Sequence, residues 1–160
     1  MIVILILVST ALVVYSCNFF ASRKDKSKEQ PYKEYIGKIL TLNDDYILCE
    51  RKDFKVPKEQ YYIIKDDNSA GPIKIDLLKK GTTIKLSKAI HYNTGLSGII
   101  GSYVVGRVFA DGLKKEVDFF YMWGNKENDF SNGKNQTYFT FPKAIWQEKE
   151  DTTRYFIENR

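Results

Sequence analysis

Positions 1–21 are apolar almost without interruption, and no Asp, Glu, Lys or Arg occurs before Arg23. Positions 22–35, SRKDKSKEQPYKEY, are charged, contain Pro31 and show no apolar period, which predicts a linker with a reach of about 20 Å. From Ile36 the pattern changes to short apolar runs broken by Gly, Pro, Asn and Asp. It predicts strands at 36–42, 46–50, 61–65, 73–78, 83–90, 103–110, 115–123 and 136–141. Two further short apolar pieces, at 144–147 and 154–157, read as either edge strands or packing segments. The fold class that follows is all-β, a small antiparallel barrel or sandwich of about seven to nine strands over 36–160, behind an N-terminal signal or anchor segment.

The best-defined element is the hairpin of 103–110 and 115–123. Val104, Gly106, Val108 and Ala110 alternate with Tyr103, Val105, Arg107 and Phe109, and Asp111-Gly112 between the two runs is a strong hairpin signal. The hairpin is predicted to be the centre of the domain, with Tyr121 and Trp123 exposed at its end.

The first stretch carries a second pattern. Val14-Tyr15-Ser16-Cys17 resembles the lipobox of bacterial lipoproteins: an aliphatic residue, a small or aliphatic one, a small one and the cysteine, with Tyr15 where a small residue is usual. The resemblance implies a lipid on Cys17 and a domain held in the periplasm or elsewhere outside the cytoplasm. The same stretch is also long enough for a single-pass inner-membrane helix, about 30 Å at about 1.5 Å per residue. Arg23, Lys24, Lys26 and Lys28 would then hold the domain in the cytoplasm. Farther on, LLKKGTTIKLSKAI (77–90) is similar to a strand, basic-Gly turn and strand of SH3-like barrels, and that similarity carries no functional residue.

Charge and cysteine content narrow the function classes. Four of the 25 basic residues and two of the 20 acidic ones lie between Arg23 and Glu29, so the chain from Gln30 on carries +3 of the total +5. Both signs are mixed and no basic run occurs, which argues against a nucleic-acid partner. Cys17 lies in the apolar stretch and leaves Cys49 without a disulfide partner, so Cys49 reads as a small buried hydrophobe. One His and one remaining Cys make no metal site, and no cofactor motif is present.

Candidate chemistry is sparse. Gly95, Gly98 and Gly101 recur in HYNTGLSGIIGS, but no Gly-Lys-Ser/Thr follows, so a phosphate loop is not supported. Its aliphatics Leu96, Ile99 and Ile100, with Tyr121 and Trp123, are the partner-binding candidates. His91 is the single histidine and has no nucleophile motif around it. Asp44, Asp45, Asp66, Asp67 and Asp118 are spread over turns and the hairpin, so no catalytic set is assigned. The expectation is a membrane-tethered envelope binding module that recognises another protein, for example an immunity protein neutralising a toxin. The alternatives are a small envelope hydrolase using the scattered acids and an anchored subunit of a membrane complex.

Overall fold

The structure, a computed structural model, describes residues 21–51, 60–65, 73–94, 100–130 and 136–156. Among these residues are eleven strands, β1 (Ala21–Asp25), β2 (Ile39–Thr41), β3 (Tyr46–Glu50), β4 (Tyr61–Ile64), β5 (Ile73–Leu78), β6 (Thr83–Thr94), β7 (Ile100–Ala110), β8 (Lys115–Met122), β9 (Asn125–Asp129), β10 (Gln136–Phe141) and β11 (Asp151–Phe156). The chain is all-β, as its alternating pattern predicts. One sheet has eight strands in the order β1-β6-β7-β8-β4-β3-β5, with β2 also on β6, and a second has the order β11-β10-β9. The pairing is antiparallel except between β4 and β8, where Tyr61 and Tyr62 run parallel to Phe119 and Phe120. The sheet is therefore mixed rather than antiparallel throughout, because the β3–β4 hairpin adds beside β8 in the same sense.

The β7–β8 hairpin lies in the middle of the large sheet. Val104, Val108, Ala110, Val117 and Phe119 face the main core, while Tyr103, Val105 and Phe120 form a smaller cluster with Ile90. The Asp-Gly turn takes a form different from a two-residue hairpin. Ala110 pairs with Lys115, leaving four residues between them, and Lys114 carries the positive φ of 52°. Gly112 serves close approach instead. Its N–H donates to Asp76 Oδ2 at 2.9 Å, and a Cβ there would stand 3.0 Å from the Ile75 carbonyl oxygen.

The segment predicted as a linker is built into the domain. β1 pairs with β6 over five residues, from Ala21↔Thr94 to Asp25↔Ile90. The chain then leaves the sheet through a 3-10 turn, Tyr32–Glu34, and returns as β2 farther down the same strand, Ile39↔Lys85 to Thr41↔Thr83. Gly37 N–H bonds the Leu86 carbonyl at 2.8 Å and closes the excursion. Tyr32 at its apex is 1% exposed. The charged residues around it hide a helical spacing of Tyr32, Tyr35 and Ile36, all of which pack on the core.

The two sheets meet over aromatic rings. Trp123 lies 4.9 Å from Phe141, 5.1 Å from Trp146, 5.5 Å from Tyr35 and 5.7 Å from Tyr32, all edge-on. Edge-to-face pairs contribute about 0.5–1.5 kcal/mol each beyond burial of their area. Of the two short apolar pieces, 154–157 falls largely in the edge strand β11, and 144–147 is a turn whose Ala144, Ile145 and Trp146 pack into the core. Asn43 holds it through its N–H to the Ile145 carbonyl at 2.8 Å and through its side-chain amide to the Ala144 carbonyl at 3.1 Å.

The cleft between the two sheets as a candidate functional site

A cleft of about 900 Å³ opens where the edge strand β1 of the large sheet faces the edge strand β11 of the small one. Its floor is Tyr32, His91, Phe139 and Phe141. One lip carries Ser22, Lys24 and Lys26, and the other Arg154, Tyr155 and Phe156. Register explains the first lip. Ser22 pairs with Asn93 and Lys24 with His91, so these four side chains share one face of the β1–β6 ladder, and all four line the cleft.

Three cations line the cleft, and two already have partners. Lys26 Nζ lies 2.6 Å from Glu29 Oε1, and Arg154 Nη1 lies 3.5 Å from Asp129 Oδ2 with its guanidinium over the Tyr138 ring. Lys24 has no ion-pair or hydrogen-bond partner among the described residues. Tyr155 donates to Asp151 Oδ2 at 2.6 Å, and burial followed by that carboxylate pushes its phenol up to about 12.

Beneath the floor runs a chain of hydrogen bonds whose direction can be worked out. Ser102 Oγ donates to the Trp123 carbonyl at 2.6 Å, which uses its single proton. Its contact with the Tyr32 hydroxyl must then be an acceptance, so Tyr32 donates to Ser102. Tyr32 has no second proton for His91 Nε2, 2.8 Å away, so His91 must donate from Nε2. In a neutral His91 ring, donation from Nε2 makes Nδ1 the acceptor. Burial, with Lys26 nearby, lowers its pKa to about 4 and agrees with a neutral ring. Burial likewise raises the Tyr32 phenol well above its ordinary value. The ring of His91 lies 4.3 Å from that of Phe139, which ties the two sheets together under the cleft.

The partner-binding candidates from sequence fall elsewhere. Cys17, Leu96 and Ile99 lie outside the described residues. Ile100 opens β7 as the register partner of Asn93. Tyr121 is half-buried against Trp146, with ring centroids 5.8 Å apart, and burial pushes its phenol up to about 12. Trp123 is not exposed. At 1% exposure, with Nε1 donating to the Pro142 carbonyl at 2.8 Å, it is a core residue. The hairpin's alternation gave no sign that a second sheet and the 144–147 turn cover its end.

The scattered acids do not converge. Asp44 pairs with Lys65 at 3.1 Å, Asp45 with Lys79 at 3.2 Å and Asp118 with Arg107 at 3.0 Å, all at exposed positions, while Asp66 and Asp67 lie outside the described residues. Among the described residues no three His, Cys, Asp or Glu side chains gather as a metal site, and no helix is long and apolar enough to cross a membrane. Sequence reasoning missed Lys24, Lys26, Glu29 and Tyr32, because it placed them in a linker. The spacing of Tyr32, Tyr35 and Ile36 was the available signal. Comparison with protein-family models, with curated proteins and with solved structures finds no match for this chain.

Proposed function

We propose that this protein is a membrane-tethered binding module of the cell envelope that recognises another protein through the cleft between its two sheets. The observation that carries this reading is the cleft itself. It is an open site of about 900 Å³ with aromatic floor and walls and Lys24 at one lip. Aromatic surface beside a few placed charges is the composition of protein-binding surfaces rather than of solvated ones. Phe156 adds to it, at 56% exposure on the opposite lip. The apolar stretch 1–20 supplies the tether, with Cys17 as the lipidated residue. A toxin-neutralising immunity protein is one concrete form of the reading, by analogy with other small tethered proteins.

Two measurements test it. A photo-crosslinking residue replaces Lys24 or Phe156 in the full chain, in its native membrane, with Leu77 on the far β5 edge as control. The expected result is a discrete protein adduct from the cleft positions and none from Leu77, and equal adducts from all three would overturn the reading. Mass spectrometry of the mature N-terminus tests the tether. A lipid-bearing Cys17 is expected, and an intact Met1 would exclude the lipoprotein form.

A further inference from the structure

We infer that the cleft captures the C-terminal residue of the partner protein, a tryptophan or tyrosine whose ring lies on the aromatic floor and whose free α-carboxylate meets Lys24. This rests on the cleft being the protein-binding surface and goes further by naming the part of the partner that enters it.

The first argument is charge. Of the residues that line the cleft, Lys24, Lys26 and Arg154 are cationic and Glu29 is anionic, three against one. Glu29 answers Lys26, and Asp129 answers Arg154. Lys24 is left as a cleft cation with no ion-pair or hydrogen-bond partner among the described residues. An entering group therefore gains most by bringing one negative charge to Lys24.

The second argument is an unmatched acceptor in the floor. The Tyr32 hydroxyl oxygen accepts from Nε2 of His91, and Nδ1 of the neutral ring is then an acceptor. Nδ1 has no hydrogen-bond partner among the described residues, and His91 is half-buried in the cleft floor. A carboxylate brings no proton to that lone pair, so the group over the floor must be an N–H or O–H donor. Its body meets rings. Phe139 lies 4.3 Å from His91 between centroids, and Tyr155 and Phe156 line the opposite lip. Tryptophan and tyrosine combine a large apolar ring with a donor at its rim.

The third argument is spacing. Lys24 and His91 are register partners on one face of the β1–β6 ladder, so cation and acceptor lie within about one side chain's reach of each other. Anion and ring must therefore arrive close together. Neighbouring side chains of an extended chain point to opposite sides, so an adjacent acidic and aromatic pair sends only one of its members in. A chain-terminal tryptophan or tyrosine carries both the carboxylate and the ring donor on one residue.

The test uses the full chain in detergent micelles and four fluorescein-labelled peptides. They are Gly-Ser-Gly-Ser-Gly-Trp with a free C-terminus, the same peptide as its C-terminal amide, the free acid methylated on the indole nitrogen, and Gly-Ser-Asp-Gly-Trp-Gly-amide, which sets acid and ring two residues apart. Fluorescence anisotropy is expected to show binding of the first, with a loss of about tenfold or more for each of the others. Lys24→Gln is expected to cost the free acid a similar factor, and Lys24→Arg to keep the affinity. His91 is the single histidine, so its Nδ1 resonance is unambiguous in nitrogen-labelled protein. That resonance should shift with the first peptide and not with the methylated one. Equal binding of any control peptide, or an unchanged affinity in Lys24→Gln, would overturn the proposal. Displacement of the free acid by phosphatidylglycerol vesicles would assign the cleft to lipid headgroups and overturn it as well. The photo-crosslink from position 156 identifies the source. Its adduct is expected to map to the last residue of the partner, and an adduct to internal sequence or to a free small molecule would overturn the proposal. If crosslinks to a protein persist while no peptide binds, the binding surface stands and this occupant is wrong. If the crosslinks are also absent, both fail.

Discussion

Tyr32 hydrogen-bonds the hydroxyl of Ser102 across 70 positions of sequence, joining the charged N-terminal segment to the central strand β7. The bond is one link in a chain that ends at the Trp123 carbonyl, so its loss affects several buried groups together. Tyr32→Phe leaves the His91 Nε2–H without its acceptor and is expected to cost about 1–3 kcal/mol. Ser102→Ala strands the Tyr32 hydroxyl and the Trp123 carbonyl at similar cost. In urea unfolding the double variant should lose clearly less than the two single losses combined, because both remove the same bond. Additive losses would show that the chain is not coupled.

Truncation separates a linker from a structural segment. A chain beginning at residue 21 keeps β1 and Tyr32 and is expected to fold. A chain beginning at residue 36 loses both and should be destabilised by at least about 3–5 kcal/mol, the usual cost of removing one large buried aromatic. Circular dichroism melting of the two chains checks this, and equal midpoints would restore the linker reading.

His91 gives a pH dependence of known sign. Its folded pKa is near 4, below the ordinary 6.5, because burial and Lys26 oppose the charged ring while Glu29 favours it. Its cross-strand neighbour Lys24 adds like charge at the cleft. The unfolded chain therefore binds the extra proton first, and stability falls as pH drops from about 6.5 towards 4. The full window is worth on the order of 2–3 kcal/mol. Between pH 5 and 6.5, above the range in which the lowered carboxylates titrate, His91→Gln should flatten the stability profile measured by chemical unfolding.

Two glycines of β7 predict unequal costs. A Cβ at Gly106 would stand 2.9 Å from the Lys85 carbonyl oxygen and 2.8 Å from Phe119 Cζ. Backbone cannot easily yield there, so Gly106→Ala should cost about 1–3 kcal/mol. A Cβ at Gly101 would meet the far end of the Tyr92 ring, which covers that glycine across the ladder. The ring can swing aside, so Gly101→Ala should cost less stability while moving Tyr92 in the cleft wall. Thermal melts of the two variants compare the costs, and a larger loss for Gly101→Ala would contradict this ordering.

The strands that sequence made legible are those with one apolar face. β3, β4, β5, β7, β8 and β10 each carry apolar residues that the core needs, so their period survives in the sequence. β1 (Ala-Ser-Arg-Lys-Asp) and β9 (Asn-Lys-Glu-Asn-Asp) are polar edge strands with no such period, so the sequence pattern predicts no strand at either. The missing edges also hid the cleft. Lys24, His91, Phe139 and Arg154 come from four strands, and each looks ordinary in its own stretch. His91 looked isolated because its partner Tyr32 was placed outside the domain. Trp123 looked exposed because the sheet that covers it begins two residues later with a polar strand.

The direct entry of β1 into the sheet also has a mechanical consequence. The apolar stretch ends where strand pairing begins, at Ala21 opposite Thr94, so the long flexible spacer expected between them is missing. Tension on the N-terminus along the strand axis loads all five β1–β6 residue pairs at once, in shear, because the hydrogen bonds of an antiparallel ladder lie across that axis. If the stretch before Ala21 is the tether proposed above, a domain built this way would resist being pulled open from it and would hold the mouth of its cleft within a few residues of the surface to which it was fixed.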